Sequence, residues 1–214
     1  MTCGIRKPGL SEPFTLVPVT RTDVPVWFHV YCTKNHPTTP DTFSKGWGDT
    51  RFAPISTETG SPVHTYYAAS TPECAFMESV LHEIPLSPPG QFDISELQHY
   101  HLAQVQLPDP LDCVSFHTPY LPALGLKRTE LIDSLPACYG ETRPWAEAAY
   151  RQRPGAKGIA YGSRRDDAAR CLMLFGQRLP DPPLAVLLQS EPLAVSPRRE
   201  EVLTLIRRLK IREI

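Results

Sequence analysis

Four residues of types that can do chemistry occur in informative local settings along the chain: Arg51, Tyr67, Glu78 and Ser163. A guanidinium fixed at the edge of a pocket suits bidentate contact with phosphate. A tyrosine ring at a cleft can stack on a flat ring such as nicotinamide. A carboxylate can hold a ribose hydroxyl and stabilise positive charge growing on the sugar, as in glycosidases. An arginine, a glutamate and a serine in this order indicate chemistry on a dinucleotide.

All four residues also have an ordinary structural interpretation, and Tyr67, with Tyr66, could be a structural aromatic residue. Arg51 could be a surface arginine paired with Asp49, the nearest acid in the sequence. Glu78 could form a helix pair with His82, which lies one turn further on. Ser163 could cap the segment that follows it, and it lacks the Gly-x-Ser-x-Gly elbow of a hydrolase triad. The residue types alone leave both interpretations open.

The segment from Tyr67 to Glu78 is predicted to run from a strand through a turn into a helix. Residues 63–69 are rich in β-branched and aromatic side chains, which indicates a strand whose two adjacent tyrosines face opposite sides. Thr71 is a good N-cap, and Pro72 suits the first helical position. The segment therefore places a carboxylate shortly after the start of a helix.

This helix is predicted to continue until Pro85 ends it. Its apolar residues fall on one face that would pack on the sheet: Met77, Val80, Leu81 and Ile84. Glu78 lies roughly 100° around the helix from Met77, at the border of the buried face. A carboxylate in that position either pairs with a cation or has a functional role.

Further elements are predicted on both sides of this segment. The strands are residues 24–31, 100–107, 158–161, 171–175 and 183–188, and the helices are residues 127–135, 144–151 and 197–211, the last amphipathic. Residues 33–50 and 108–125 are predicted loops. Strands with short helices and no regular β-α-β alternation indicate an α+β fold. Because the chain has neither a Gly-x-Gly-x-x-Gly motif nor a P-loop, a nucleotide would not bind in the Rossmann manner.

The composition of the 214-residue chain suits one domain with elaborations. With 41% hydrophobic and 21% charged residues it can bury a sizeable core, and its net charge of −1 gives no general attraction to nucleic acid or membrane. No stretch resembles a signal peptide or a membrane span, so a cytoplasmic location is expected. The basic excess of residues 143–170 suits either a diphosphate-bearing ligand or a solvated face.

The cysteines and histidines do not suggest a metal site. The six cysteines include no Cys-x-x-Cys pair, and in a reducing compartment they are expected to be thiols, some of them buried. His99 and His101 would share one face of a strand, but no cysteine or second histidine pair stands near them. We therefore expect no structural metal.

Taken together, these segments resemble the RES-domain family, toxins of bacterial toxin–antitoxin pairs named for an arginine, a glutamate and a serine. The matching segments are Thr50-Arg-Phe52, Tyr67-Ala-Ala-Ser-Thr71 with Ala75-Phe-Met-Glu78, and Gly158-Ile-Ala-Tyr-Gly-Ser-Arg164 with Cys171-Leu-Met-Leu-Phe175. The resemblance covers about residues 24–175. It implies a single-domain fold related to ADP-ribosyltransferases, with mixed or antiparallel sheets, and a reaction that breaks the bond between nicotinamide and ribose in NAD.

The resemblance also implies roles for individual residues. Arg51 would hold the diphosphate or ribose side of NAD, and Tyr67 would line the nicotinamide pocket. Glu78 would orient the ribose and stabilise the oxocarbenium ion, and Ser163 would position the ribose or the nicotinamide. Family members usually carry another arginine in the first strand, where this chain has His29. Histidine is shorter and mostly neutral at pH 7, so weaker phosphate binding or lost activity is expected if His29 occupies that position.

We divide the chain into an N-terminal arm (1–23), a RES-like catalytic domain (24–176) and a C-terminal extension packed on the same domain (177–214). The leading hypothesis is an NAD-consuming enzyme that acts by phosphorolysis or hydrolysis. The alternatives are an ADP-ribosyltransferase that modifies a protein and a catalytically weakened module that binds a nucleotide or a partner. The expected ligands are NAD, as substrate, and phosphate, without a metal. A helix-turn-helix antitoxin of the Xre type is the expected partner, neither nucleic acid nor membrane is expected to bind, and a homo-oligomer is left open.

Overall fold

The computed structural model describes residues 3–214, so Met1 and Thr2 of the predicted arm lie outside the described residues. The strands are β1 (Leu16–Val19), β2 (Trp27–Cys32), β3 (Thr65–Ala69), β4 (Gln91–Phe92), β5 (Tyr100–Gln106), β6 (Leu111–Ser115), β7 (Gly158–Gly162), β8 (Arg170–Phe175), β9 (Ala185–Pro192) and β10 (Arg212–Glu213). The helices are α1 (Pro72–Met77), α2 (Arg128–Leu131), α3 (Tyr139–Gln152) and α4 (Arg198–Arg208). Short 3₁₀ turns cover Ile94–His99, Thr118–Tyr120, Pro122–Leu124, Pro136–Cys138 and Gly176–Arg178.

Within residues 3–214, one eight-stranded sheet runs in the order β1-β6-β7-β8-β3-β2-β5-β9. The pair β6–β7 is parallel and the other neighbours are antiparallel. Strands β4 and β10 form a separate parallel pair. This mixed sheet with short helices confirms the predicted α+β class.

The two faces of the sheet bury separate apolar cores. Successive strand residues point to opposite faces, so Cys171, Met173 and Phe175 of β8 join the larger core whereas Leu172 and Leu174 join the smaller one. The larger core also contains the buried faces of α1, α3 and α4. The elements that surround the predicted site residues are therefore packed against this larger core.

The sheet opens between its central strands β2 and β3. Their backbone pairing is confined to Phe28 and Ala69, whereas β3 pairs with β8 at five positions and β2 with β5 at six. Beyond that single pair the two strands diverge. The divergence creates a gap in the middle of the sheet, which is where a ligand can reach both strands.

Two strands lie in segments that were predicted to be irregular. Leu16–Val19 of the predicted arm forms β1, and Leu111–Ser115 of the predicted loop 108–125 forms β6. These strands pair with each other, antiparallel, at four positions. Each is short, and β1 carries Pro18 and exposed or half-buried residues, as expected of an edge strand. The two strands are about ninety-five residues apart in the chain, and their pairing stabilises a strand conformation that neither segment indicates by its own sequence.

All four helices differ from the prediction in their bounds. The helix that follows Thr71 ends at Met77 instead of continuing to Pro85, so Glu78 is its C-cap. The third helix begins at Tyr139, five residues before Pro144, and the second is shorter than predicted. Helix α4 ends at Arg208 and not at residue 211, but it buries Val202, Leu203, Leu205 and Ile206, as its amphipathic pattern predicts. The division of the chain at residues 23 and 176 stays a prediction.

The expectation of six thiols is wrong, because Cys3 and Cys138 form a disulfide. The Glu141 carboxylate accepts hydrogen bonds from the N–H groups of Cys3 (2.6 Å) and Ile5 (2.9 Å), which hold the arm against the start of α3. These bonds lower the pKa of Glu141. Of the remaining cysteines, those at 74, 113 and 171 are buried and that at 32 is half-buried.

Among residues 3–214, none of the helices has the length and apolar character needed to cross a membrane.

Candidate active site

A cavity of about 340 Å³ lies where β2 and β3 diverge, and we call it the β2–β3 cavity. Its walls include four of the five residues that the sequence singled out, Arg51, Tyr67, Glu78 and His29. The fifth, Ser163, is fully buried directly behind Glu78. The structure therefore brings all five together, although they come from four separate segments of the chain.

Arg51 is buried without a partner for its charge. The residue is 3% exposed, and its Nε and Nη2 atoms have no hydrogen-bond partner in residues 3–214. Asp49, the partner that the sequence offered, pairs with Arg143 instead. Because an unpaired buried cation is costly, the guanidinium needs an anion that this part of the chain does not supply.

The backbone around Arg51 is fixed by α3. The Thr142 hydroxyl donates to the Arg51 carbonyl at 2.5 Å, and Arg143 Nε donates to the Thr50 carbonyl at 3.0 Å. The guanidinium itself faces the Tyr139 ring, 5.8 Å from its centre. The polar first turns of α3 thus hold the arginine against the cavity wall while leaving its donors free.

Tyr67 is held by Thr50, the residue that precedes Arg51. The two hydroxyls are 2.8 Å apart, and Thr50 Oγ1 also bonds the backbone of Ala53. Burial raises the pKa of Tyr67, so the phenol stays neutral. Tyr66 points to the opposite face of the sheet, where it is buried in the smaller core, as strand alternation predicts.

The hydroxyl of Ser163 is aimed at Glu78. Its Oγ accepts the backbone N–H groups of Arg165 (2.9 Å) and Asp166 (3.0 Å). Both lone pairs are then occupied, so the single hydroxyl proton is donated to Glu78 Oε1 at 2.5 Å. This contact replaces the Glu78–His82 pair that the sequence offered as the alternative.

His82 instead belongs to a neighbouring polar cluster. Its Nδ1 contacts Glu83 Oε1 at 2.5 Å, and its Nε2 lies 3.2 Å from the Tyr139 hydroxyl. Burial lowers the pKa of His82, while the nearby carboxylates of Glu78 and Glu83 oppose that effect. The carboxylate of Glu78 therefore keeps Oε2 without a hydrogen bond from residues 3–214 and open to the cavity.

His29 closes the gap between the diverging strands. Its Nδ1 donates to the Tyr67 carbonyl at 2.7 Å, and its ring stacks on Tyr66 with centroids 4.1 Å apart. Burial lowers the pKa of His29 to about 4, although the bond to the carbonyl opposes the shift. The imidazole is consequently neutral at pH 7 and adds no positive charge to the cavity.

Sequence reasoning missed three residues of the site: Tyr139, Tyr161 and Arg165. Tyr139 faces Arg51 and was placed before the predicted start of its helix. Tyr161 lines the cavity, and its position two residues before Ser163 in the same extended segment could have revealed it. Arg165 directly follows Ser163-Arg164, but within the basic stretch nothing distinguished it from its neighbours.

A larger depression of about 700 Å³ lies between the N-terminal arm and α3. Its walls include Glu147 and Arg151, which form an ion pair with each other. Their charges are therefore already matched, unlike that of Arg51. Among residues 3–214, no group of three or more histidine, cysteine or acidic side chains could hold a metal ion. The β2–β3 cavity is thus the better candidate for a site that binds an anion.

The chain is similar to known proteins in its sequence pattern and in its fold. The family model described as "RES domain" matches residues 27–196. A chain of the crystal structure of the M. tuberculosis MbcT-MbcA toxin-antitoxin complex is similar in fold, with a TM-score of 0.55 and 14% identity over 81% of this chain and 88% of that chain. No curated protein matches the sequence. At 14% identity, the structural likeness concerns the fold alone.

Proposed function

The chain belongs to the RES domain family, and on that premise we propose that it consumes NAD by breaking the bond between nicotinamide and ribose. The observation that carries the proposal is the unpartnered guanidinium of Arg51 in the same cavity as the Glu78 carboxylate. NAD offers a diphosphate to the first and a ribose to the second. A cavity of about 340 Å³ is at the lower end of the range for small-molecule sites, so we propose that it takes the nicotinamide riboside half.

In this proposal Glu78 acts on the sugar. Its Oε1 is held by the Ser163 hydroxyl, and its Oε2 is open to the cavity and available to a ribose hydroxyl. A fixed negative charge beside the sugar stabilises the positive charge that develops as nicotinamide leaves. Because the hydroxyl is itself fixed by two backbone N–H groups, the carboxylate need not reorient during the reaction.

Arg51 and Tyr67 are proposed to bind the two parts of the substrate that flank the ribose. The Arg51 guanidinium lines the cavity and pairs with no anion in residues 3–214, which suits a phosphate group. The neutral ring of Tyr67 is proposed to line the place of the nicotinamide. His29 contributes no charge, so Arg51 would bind the phosphate without help from that position, and we expect modest affinity for NAD.

We further propose that the protein is the toxin of a toxin–antitoxin pair. Its family membership and its fold similarity to a chain of a toxin–antitoxin complex support this proposal. The proposed partner is an antitoxin of the helix-turn-helix type. Expression in bacteria should then arrest growth while cellular NAD falls, and normal growth with unchanged NAD would count against it.

The direct test is release of nicotinamide from NAD by the purified protein, with and without phosphate. We expect nicotinamide from the wild-type chain, and the second product, ADP-ribose or its phosphorylated form, identifies water or phosphate as the acceptor. Incorporation of ADP-ribose into a protein would identify the transferase instead. Glu78→Gln should reduce release by about 10³-fold, because the charge that stabilises the sugar is lost.

The matched control is Glu147→Gln, which removes a carboxylate on the far side of α3, where it pairs with Arg151. This variant should release nicotinamide at the wild-type rate. No turnover by folded wild-type protein would overturn the proposal. Thermal stabilisation by NAD without product would select the catalytically weakened binding module.

A further inference from the structure

The turn that follows Glu78 lacks the i→i−4 backbone hydrogen bonds of an α-helix. Helix α1 ends at Met77, and the Leu81 N–H reaches back to the Phe76 carbonyl at 3.0 Å, one residue further than a helical bond. In residues 3–214, the carbonyls of His82 and Ile84 accept no backbone N–H. The backbone bonds within residues 78–84 are two short-range contacts, from the His82 N–H to Ser79 and from the Ile84 N–H to Leu81, so the carbonyls of His82 and Ile84 need donors from elsewhere in the fold.

Arg165 supplies the missing bonds. Its Nη2 donates to the carbonyl of His82 and to that of Ile84, the latter at 2.9 Å. Arg164 approaches the His82 carbonyl only at 3.4 Å, and its Nη1 is directed to the Ser134 carbonyl at 3.0 Å. One side chain thus joins two carbonyls of the turn to the loop that follows β7.

The same loop holds the other end of the turn through Ser163. The backbone N–H of Arg165 donates to Ser163 Oγ, which donates to Glu78. Arg165 therefore acts on the turn in two ways, with its side chain on the carbonyls and with its backbone on the serine. A substitution of its side chain removes the first contact and keeps the second.

The electrostatic surroundings agree with a fixed position for this arginine. Burial and the charge of Arg164 lower the pKa of Arg165, and the carboxylates of Glu78 and Glu83 partly oppose this shift. Its Nε and Nη1 atoms are buried without a partner in residues 3–214. The side chain is consequently committed to the turn and does not extend into solvent.

We infer that Arg165 is a positioning residue that fixes the Glu78 carboxylate by holding the carbonyls of residues 82 and 84. The inference rests on the proposed function, since it assigns Arg165 to the placement of the proposed catalytic carboxylate. Without the side chain, the turn is free to shift relative to the sugar. A displacement of about 1 Å can reduce a catalysed rate by about 10²-fold. Binding through Arg51 is unaffected, so kcat should fall more than KM changes.

Arg178 provides a matched control elsewhere in the molecule. Its Nη1 donates to the carbonyls of Arg153 (2.7 Å) and Ala156 (3.0 Å), and its Nη2 donates to that of Tyr150. It thus also joins loop carbonyls through one guanidinium, but beyond the C-terminal end of α3, away from the cavity. Loss of this side chain disturbs the fold to a comparable degree without touching the turn of Glu78.

The test compares Arg165→Gln, Arg165→Lys and Arg178→Gln by steady-state kinetics on NAD and by hydrogen exchange. Arg165→Gln should lower kcat by about 10²-fold with KM within about threefold, and Arg165→Lys, which keeps a charged donor, should recover part of that loss. Exchange of amides in residues 78–84 should speed up in Arg165→Gln alone. Arg178→Gln should keep both kcat and the exchange of that turn.

Two results would overturn the inference: wild-type kcat in Arg165→Gln, or equal losses of kcat in Arg165→Gln and Arg178→Gln. Unchanged exchange in residues 78–84 of Arg165→Gln would overturn it even if the wild-type protein does not turn over NAD. An inactive wild-type protein whose turn is loosened by Arg165→Gln would instead contradict the proposed function and leave the positioning role supported.

Discussion

Arg51 and Arg178 both lie against aromatic rings, but their guanidinium groups differ in what they bind. Arg178 lies 3.8 Å from the centre of the Tyr150 ring and donates to three backbone carbonyls. Arg51 lies 5.8 Å from the Tyr139 ring, and two of its nitrogens have no partner in residues 3–214. Arg165 also has two unpaired nitrogens, but its Nη2 binds two carbonyls, whereas the Arg51 side chain donates to nothing in residues 3–214. Because buried polar groups are almost always paired, a buried guanidinium with no partner at all indicates a site for an external ligand.

The difference separates arginines that build the fold from an arginine kept available for a ligand. Arg178 joins α3 to the loop before β7, and Arg165 joins the turn of Glu78 to the loop after β7. Both use carbonyls of the chain itself. The donors of Arg51 are kept available by Thr142 and Arg143, which hold its backbone without touching its side chain.

The strongest test of this difference between Arg51 and Arg178 is to remove the charge of Arg51. Arg51→Gln should lower kcat/KM for NAD by about 10²–10³-fold, because an electrostatic contact with the substrate is lost. The free protein should be no less stable, since a buried charge without a partner is removed. Enzyme kinetics and chemical denaturation without NAD measure the two effects.

A large loss of stability in Arg51→Gln, with normal kinetics, would contradict the comparison. It would make Arg51 a structural residue of the same kind as Arg178. Unfolding curves recorded with and without NAD separate the cases further, because a ligand stabilises only a protein that binds it.

The reciprocal substitution, Arg178→Gln, should destabilise the fold and keep the activity. Three carbonyls lose a charged donor, and hydrogen bonds to charged groups contribute about 1.5–3 kcal/mol, so a loss of about 2–3 kcal/mol is expected. Nicotinamide release should stay at the wild-type rate at a temperature where the variant is folded. A variant that is folded but inactive would show that the two arginines are not functionally distinct.

The smallest expected effect concerns His29, which lines the β2–β3 cavity. Its pKa of about 4 in the folded protein lies below the ordinary value of 6.5, so the unfolded chain binds more protons as the pH falls. The contribution of His29 to the free energy of unfolding is therefore fully present above pH 6.5 and is lost as the pH falls from there towards 4. For the partly exposed ring we expect a loss of about 1 kcal/mol at pH 5.

His29→Gln, which can still donate to the Tyr67 carbonyl, isolates this contribution. Denaturation of both proteins at pH 5 and pH 7.5 should show a weaker pH dependence in the variant. Other histidines with lowered pKa values, such as His82 and His117, act in the same direction in both proteins and cancel in the difference. Equal pH dependence of stability in the two proteins would show that burial does not lower the pKa of His29.

The candidate site residues were predicted from their order along the chain, and the element that carries Glu78 was predicted from local signals. Thr71 and Pro72 begin a helix after a strand rich in aromatic residues, and the Thr71 side chain does cap it. Such signals depend on neighbours in the sequence. The order of an arginine, a glutamate and a serine then connected segments that lie far apart in the chain.

What could not be predicted depends on contacts between distant segments. The helix ends at Met77 and not at Pro85 where Arg165, more than eighty residues away, takes the carbonyls of the following turn. Strand β1 exists through its pairing with β6, and the disulfide joins Cys3 of the arm to Cys138, next to the start of α3. No local pattern contains any of these contacts.

The neutral state of His29 also depends on contacts with a distant segment of the chain and could not be predicted. Its residue type allowed either weaker phosphate binding or a loss of activity. The sequence alone did not show whether the imidazole would be buried. The divergence of β2 from β3 decides the matter, because it places the ring between the strands and directs Nδ1 to a carbonyl. Burial then lowers the pKa of the imidazole far below neutrality.

The most direct test of the central claim is a crystal structure of Glu78→Gln with NAD bound. The substitution removes the proposed catalytic charge and keeps a side chain of the same size, so intact NAD should remain in the site. We predict a phosphate oxygen within about 3 Å of a guanidinium nitrogen of Arg51, with the nicotinamide ribose beside residue 78. NAD bound elsewhere, or an Arg51 guanidinium that still has no partner in the complex, would contradict the account.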